Sequence, residues 1–152
     1  MDSRSPIELR ALRYLAQREY SRRELAQKLS ADRDSRETGE LAAVLDQLEQ
    51  QGYLSEQRMV EQVARVRRSR FGSQRIVQEL KSKGVDDGLI RNILPNLKET
   101  ELETASHIWR KKFDHPPATR EERAKQIRFM MNRGFSMETI QQVLTQASEE
   151  NP

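Results

Sequence analysis

The sequence predicts an all-α protein, arranged as an elongated, curved tandem array of three three-helix repeats. Three observations predict this fold class. Leu, Ala, Glu, Gln, Arg and Lys, which are strong helix formers, dominate the 152 residues, and runs of β-branched residues are nearly absent. Apolar residues recur at helical spacing between recognisable start and stop signals. Segments about fifty residues apart also resemble one another, as in tandem arrays, which extend and curve because each repeat contacts mainly its neighbours.

Three helix starts carry a capping signature. Ser5-Pro6-Ile7-Glu8 places a capping serine before a proline, with a glutamate three residues after the serine. Ser21-Arg22-Arg23-Glu24 and Thr119-Arg120-Glu121-Glu122 have the same spacing of hydroxyl and carboxylate. In each case the two side chains can satisfy backbone N–H groups that have no partner within the helix. A helix is therefore expected to begin at each of these places.

Glycines mark the ends of several amphipathic runs. Gly52, Gly84 and Gly134 each follow such a run, and glycine readily takes the left-handed conformation that closes a helix. Apolar spacing between the start and stop signals predicts nine helices. They are expected near residues 6–18, 21–29, 37–51, 55–69, 73–83, 86–97, 100–113, 119–133 and 136–147.

Two helices have especially clear apolar faces. In the fourth helix, Met59, Val63 and Val66 share one face, which Val60 widens, so this face is predicted to be buried. The core-facing stripe of the seventh helix is predicted to comprise Ala105, Ile108, Trp109 and Phe113.

The nine predicted helices fall into three similar groups. The stretch LKSKGVDDGLIRNIL (80–94) aligns with MMNRGFSMETIQQVL (130–144), with a shared basic residue before glycine and matched apolar positions on both sides. Ser21-RRELAQKL likewise resembles Gly72-SQRIVQEL. A period of about fifty residues with one three-helix unit per period is typical of a tandem array. The predicted units are residues 1–54, 55–98 and 99–152.

Composition excludes several classes of protein. The chain has no cysteine, so disulfides, thiolate chemistry and cysteine-based zinc sites are excluded. No apolar run approaches the roughly 18 residues that a membrane span needs, so no membrane association is expected. The first residues lack the apolar core of a secretion signal. A cytoplasmic protein is therefore predicted.

Positive charge is concentrated between residues 65 and 83, where Glu79 is the single acid. The net charge is only +3, so the distribution of charge matters more than its total. One arginine at a helix C-terminus would be explained by the helix dipole, but four within six residues exceed that need. A surface that binds a polyanion or an acidic protein is predicted instead. Its candidate residues are Arg65, Arg67, Arg68, Arg70, Arg75, Lys81 and Lys83, extended in the third repeat by Arg128 and Arg133.

Nothing in the sequence indicates an enzyme. His107 and His115 lack further ligands at metal-binding spacing, so neither is expected to bind a metal. No glycine-rich phosphate-binding motif occurs, and no serine or threonine has a base and an orienting acid nearby in sequence. We therefore expect no catalytic residue, no metal and no cofactor.

The segment GYLSEQRMVEQVARVRRSRFGSQRIVQELKSKGV resembles the signature region of the RecX family, bacterial regulators of the RecA recombinase. ALRYLAQREYSRRELAQKL (11–29) and IRFMMNRGFSMETIQQVL extend the resemblance over nearly the whole chain. Ser55-Glu56 departs from the family, which commonly has aspartates there, and the loop ADRDSRETG lacks the usual lysine-glycine. The matching positions are Gly52, Tyr53, Leu54, Arg58, Arg70, Gly72, Arg75, Ile76, Glu79, Leu80, Lys83 and Gly84.

The resemblance implies a specific function. A member of this family is expected to bind RecA filaments on single-stranded DNA, lodged in the helical groove of the filament. It is expected to lower ATP hydrolysis and strand exchange and to block filament growth, and so to help control recombination, DNA repair and the SOS response. The implied partners are RecA and single-stranded DNA, with double-stranded DNA as an additional partner, and the protein is expected to be a monomer.

Two other functions fit the residues. Three-helix units also occur as helix-turn-helix domains, which would make the protein a sequence-specific DNA-binding regulator with Gln74 and Arg75 as readers of base edges. The basic surface could instead meet an acidic protein partner in a scaffold that has no affinity for DNA. Binding to random single strands, random duplex and a selected site would separate these functions.

Overall fold

The computed structural model describes residues 3–31 and 38–150, and these residues form an all-α helical array. They contain nine helices and no strand. The helices are α1 (Pro6–Gln17), α2 (Arg22–Ser30), α3 (Thr38–Gln50), α4 (Glu56–Arg67), α5 (Ser73–Ser82), α6 (Asp87–Glu99), α7 (Glu101–Lys112), α8 (Arg120–Asn132) and α9 (Met137–Glu150).

All nine predicted helices are confirmed, and the largest boundary error is three residues, at the end of α9. The predicted start of the third helix at residue 37 and most of the loop ADRDSRETG lie outside the described residues. Within residues 3–31 and 38–150, no helix has both the length and the apolar character needed to cross a bilayer.

The predicted helix caps are present. The hydroxyl of Ser21 accepts from the Glu24 N–H at 3.1 Å, and the Glu24 carboxylate accepts from the Ser21 N–H at 3.0 Å. Ser5 and Thr119 each accept from the N–H three residues further on. At the C-termini, Gly52, Gly84 and Gly134 have φ values of 84°, 77° and 91°. These left-handed conformations strongly favour glycine.

Each set of three consecutive helices encloses its own hydrophobic core. Most of the predicted apolar faces are buried, and the Trp109 stripe is confirmed. Val66 is an exception: its side chain is 56% exposed, and Ala64 lies in the core instead, because the buried stripe of α4 passes through positions 59, 60, 63 and 64. The cores comprise Ile7, Ala11, Tyr20, Leu25, Leu29, Val44, Leu45, Leu48 and Leu54; Met59, Val60, Val63, Ala64, Ile76, Leu80, Val85, Ile90 and Leu97; and Ala105, Trp109, Met130, Phe135, Ile140, Val143, Leu144 and Ala147.

Three small cores in series leave much surface exposed. The chain exposes 9849 Å², about a quarter more than the ~8000 Å² that surface scaling gives for a compact protein of this mass. An extended array has this property because each unit shares only its ends with neighbours. The division of the chain at residues 54/55 and 98/99 stays a prediction.

The middle helices of the three groups are joined end to end. At the junction of α8 and α5, the carbonyl of Arg133 accepts from the Gly72 N–H at 2.7 Å, and the carbonyl of Gly134 accepts from the Gln74 N–H at 3.1 Å. At the junction of α5 and α2, the Ser21 hydroxyl donates to the carbonyl of Lys83 at 2.7 Å. Helix C-termini have carbonyls without partners and N-termini have N–H groups without partners. The end-to-end contacts give hydrogen-bond partners to both kinds of group, and the dipoles of the joined helices attract one another.

A buried carboxylate strengthens the α8–α5 junction. Glu101, at the start of α7, accepts from the Ser73 N–H at 3.1 Å and from the Ser73 hydroxyl at 3.0 Å. The two residues are 7% and 4% exposed. The third helix group therefore supplies the N-terminal cap of α5, whose own N-cap residue, Gly72, has no side chain to do so.

Candidate polyanion-binding site

Two of the predicted binding residues are paired with a carboxylate. Glu79 on α5 lies between them, with Arg67 Nε at 3.1 Å from one carboxylate oxygen and Lys83 Nζ at 3.2 Å from the other. Lys83 also approaches Glu24 of α2 at 3.9 Å. The single acid of the basic stretch thus offsets part of the charge of two cations, which reduces what they offer to a partner.

Arg68 has a structural role. One of its guanidinium nitrogens, Nη1, donates to the Asn96 side chain at 2.9 Å. The other, Nη2, donates to the Asn96 carbonyl and to the Thr100 hydroxyl, both at 3.0 Å. These bonds fix the end of α4 to the point where α6 passes into α7, so Arg68 stabilises the link between the second and third helix groups.

Arg75 and Arg133 lie against the ring of Phe71. Their guanidinium carbons are 4.1 Å and 5.5 Å from the ring centroid. Arg75 also donates to the Asn132 carbonyl at 3.1 Å, and Arg133 donates to the Arg70 carbonyl at 3.2 Å. Both arginines connect the second group to the third, and Phe71 is covered by cations instead of being available to stack on a base.

The remaining predicted residues are Arg65, Arg70, Lys81 and Arg128. Their side chains are exposed. Within residues 3–31 and 38–150, no carboxylate or hydrogen-bond acceptor pairs with these four side chains, so their charge faces solvent. Contacts link Arg70 with Arg133, and Glu79 links Arg67 with Lys83. Among the described residues, no contact joins Arg65, Lys81 or Arg128 to either of these two pairs.

A second basic cluster was missed by the sequence analysis. His107, Lys111 and Lys112 of α7 line a cup of about 310 Å³ together with Arg70 and Arg133. The run Arg110-Lys111-Lys112 at the end of α7 is the part of this cluster that the sequence shows directly. By itself such a run indicates no binding site, because cations in the last turn of a helix are also favoured by the helix dipole.

The histidines have different surroundings. A hydrogen bond with the Asp114 carboxylate, 3.1 Å from Nδ1, raises the pKa of His115, whose ring lies in solvent. His107 lines the basic cup. Among the described residues, no group of three His, Cys, Asp or Glu side chains could hold a metal ion.

The start of α5 is enclosed by the third helix group. Gly72 and Ser73 are buried there, and the Gln74 backbone is bonded to Gly134. In a helix-turn-helix domain, the N-terminal residues of the recognition helix face base edges in the major groove. The side chains of Gln74 and Arg75 themselves are exposed, so their role as readers of base edges stays a prediction.

Comparison with known proteins places this fold and these residues in a family. Residues 55–94 match the family model of the second three-helix domain of RecX, and residues 99–144 match that of the third. The regulatory protein RecX of Leptothrix cholodnii is 48% identical over 93% of this chain and 89% of its own length. The corresponding protein of Ralstonia nicotianae is 41% identical over 93% and 89%.

A solved structure agrees with the fold. The crystal structure of RecX from Lactobacillus salivarius superposes with a TM-score of 0.79 at 17% identity, covering 94% of this chain and 95% of that one. At this identity the superposition supports the fold alone. Family membership is shown by the matched three-helix domains and by the relatives that are 41% and 48% identical. The chain belongs to the RecX family of regulatory proteins.

Proposed function

We propose that this protein is a non-enzymatic regulator that binds RecA filaments on DNA and inhibits RecA ATPase, strand exchange and filament growth. The observation that carries the proposal is a set of exposed cations without internal partners on an extended helical array, in a chain of the RecX family. An extended array suits a filamentous partner because it presents a long surface for its mass. We further propose that the protein acts in the cytoplasm as a monomer.

The contacts of the basic residues indicate which of them bind the filament and which stabilise the fold. We assign Arg65, Arg70, Lys81 and Arg128 to the filament, since nothing within the described residues neutralises them. Arg75 and Arg133 have donors that their structural bonds do not use, so they serve both the junction and the partner. The structural group comprises Arg67, Arg68 and Lys83.

The DNA-dependent ATPase activity of RecA tests this function. The wild-type protein is expected to inhibit at micromolar concentration. The triple variant Arg65→Gln, Lys81→Gln, Arg128→Gln is expected to need about tenfold more protein, because three charge contacts of roughly 0.5 kcal/mol each are lost. The matched control is Arg13→Gln, Lys28→Gln, Arg123→Gln, which removes the same charge from other exposed positions.

The outcomes separate the function from the residue assignment. Absence of inhibition by the wild-type protein contradicts the proposed function. Equal inhibition by the wild-type protein and the first triple variant contradicts the assigned residues while leaving the function intact. The control is expected to inhibit like the wild-type protein, since its cations lie outside the assigned surface.

Removing Glu79 is expected to increase affinity for DNA. Glu79→Gln abolishes the charge that Arg67 and Lys83 now face at 3.1 Å and 3.2 Å. If one freed cation contacts a phosphate, the slope of log affinity against log salt concentration should steepen by about 0.7 to 0.9, and the affinity for DNA near 0.1 M salt should rise about threefold. The folded state should lose at most about 1 kcal/mol, because these pairs are partly exposed.

Fluorescence anisotropy of a labelled oligonucleotide at several salt concentrations measures this effect. Glu121→Gln, an exposed position at the start of α8, changes the net charge equally and serves as the control. Identical salt dependence of Glu79→Gln and Glu121→Gln would show that Arg67 and Lys83 stay within the fold.

A further inference from the structure

The basic cup lies where three helices end. Arg70 follows the end of α4, Lys111 and Lys112 lie in the last turn of α7, and Arg133 caps α8. The cup has a volume of about 310 Å³, and Ser69, His107, Ile108 and Phe129 complete its lining. Among these described lining residues none is acidic. The cup therefore gathers positive charge from both sides of the junction between the second and third helix groups.

Helix dipoles do not account for this charge. Each of the three helix C-termini is equivalent to about −0.5 of an elementary charge, which gives about −1.5 in all. The four arginine and lysine side chains carry about +4. The four side chains therefore leave the cup with an excess of about +2.5. Cations placed only to compensate helix dipoles would leave no such excess.

Two of the cations are held in place without a carboxylate. Arg133 donates to the Arg70 carbonyl at 3.2 Å, and its guanidinium carbon is 5.3 Å from the Phe129 ring centroid. Lys112 Nζ is 5.4 Å from the same centroid. These contacts orient the charges while leaving N–H donors for a ligand. Because cations already contact the ring of Phe129, it offers no free platform for a base.

We propose that the cup binds a phosphate group of a nucleic-acid backbone, an inference that rests on the proposed function and specifies where the DNA is held. Arg70 and Arg133 give forked hydrogen bonds to phosphate oxygens, and Lys111 and Lys112 act as point charges. A carboxylate from a protein partner brings one negative charge, whereas a nucleic-acid strand carries one at every nucleotide. The strand therefore matches the excess charge of the cup better. Recognition through phosphates makes the binding independent of base sequence.

Direct binding of the full chain to DNA, with no RecA present, tests the cup. The double variant Lys111→Gln, Lys112→Gln is expected to bind a labelled oligothymidylate about tenfold more weakly near 0.1 M salt. The slope of its log affinity against log salt concentration should become shallower by about 0.7 to 1.4, because contacts to one or two phosphates of the single strand are lost. The same loss is expected with oligodeoxyadenylate. The matched control, Lys28→Gln with Lys125→Gln, removes two exposed lysines elsewhere and is expected to bind like the wild-type protein.

Further arms identify the source of the phosphate and separate this inference from the proposed function. Competition by random duplex as well as by single strands supports a backbone phosphate as the ligand. Displacement of the oligonucleotide by micromolar pyrophosphate would overturn it in favour of a free phosphate compound. Unchanged DNA binding by the lysine double variant would also overturn it, even if inhibition of the RecA ATPase is lost, since the cup would then contact protein. Loss of DNA binding with intact inhibition supports the cup and contradicts the DNA contact as the basis of inhibition.

Discussion

Gly72→Ala is expected to destabilise the protein by about 3 kcal/mol. A Cβ atom at this position would lie 2.3 Å from the Gly134 carbonyl oxygen and 2.7 Å from the Phe135 backbone nitrogen. These are backbone atoms, so no side-chain rotation relieves the clash. The helix groups on either side must separate, and the bonds from the Gly72 and Gln74 N–H groups to Arg133 and Gly134 weaken. Overpacking of this kind costs about 1 to 3 kcal/mol, and each lost hydrogen bond about 0.5 to 1.5 kcal/mol.

Urea denaturation followed by circular dichroism measures the loss. The φ of Gly72 is −79°, which alanine adopts without strain, so the penalty arises from the close approach of the two backbones and not from conformation. Gly39→Ala in α3 is the matched control, because nothing lies within 4 Å of the added Cβ. It is expected to stabilise the protein by up to about 1 kcal/mol. Equal stability of Gly72→Ala and the wild-type protein would show that the junction accommodates a methyl group.

The same substitution couples stability to binding. The basic cup takes Arg70 from one side of the junction and Lys111, Lys112 and Arg133 from the other. Separation of the helix groups would therefore widen the cup and disperse its charge. In an array whose repeats contact mainly their neighbours, a weakened junction can open while each repeat stays folded. Gly72→Ala should then lose affinity for DNA at urea concentrations where helix content is still complete.

Local features of the fold could be predicted from the sequence because their signals are local. A capping serine such as Ser21 acts three residues away, and the closing role of Gly84 and Gly134 depends on their own φ. The similarity between segments about fifty residues apart then indicated a repeated unit. None of these signals specifies how one unit meets the next. That depends on contacts such as Ser21 to Lys83, which are 62 residues apart.

The candidate site was predicted less completely, because it too depends on contacts between residues that are distant in sequence. The basic residues could be found by composition, but their partners are set by tertiary contacts. Lys83 and Glu79 are four residues apart on one helix, so their pairing was readable. The contact of Arg67 with Glu79 and the capping of α6 by Arg68 join different helices. The cup was missed because its residues come from three helix ends that are far apart in sequence.

Glu101→Ala is expected to cost about 3 kcal/mol, the other large effect. The Glu101 carboxylate accepts from the Ser73 N–H and hydroxyl in a site where both residues are almost inaccessible to solvent. Alanine would leave these two donors buried without a partner. Each donor that water does not reach lowers the stability of the folded state by about 1 to 3 kcal/mol. It would also remove a negative charge from the N-terminus of α5, which is worth about 0.3 to 1 kcal/mol.

Conservative and matched substitutions distinguish this capping role from simple loss of charge. Glu101→Gln keeps an acceptor oxygen for the Ser73 N–H, so a smaller loss of about 1 kcal/mol is expected. Glu103→Ala removes an exposed acid from the same turn of α7 and should change stability by less than about 1 kcal/mol. Thermal and urea unfolding measure all three. If Glu101→Ala and Glu103→Ala have the same stability, the carboxylate does not hold α5 to the third helix group. The junction of α8 and α5 would then depend on the backbone bonds of Gly72 and Gln74 and on the side-chain bonds of Arg75 and Arg133.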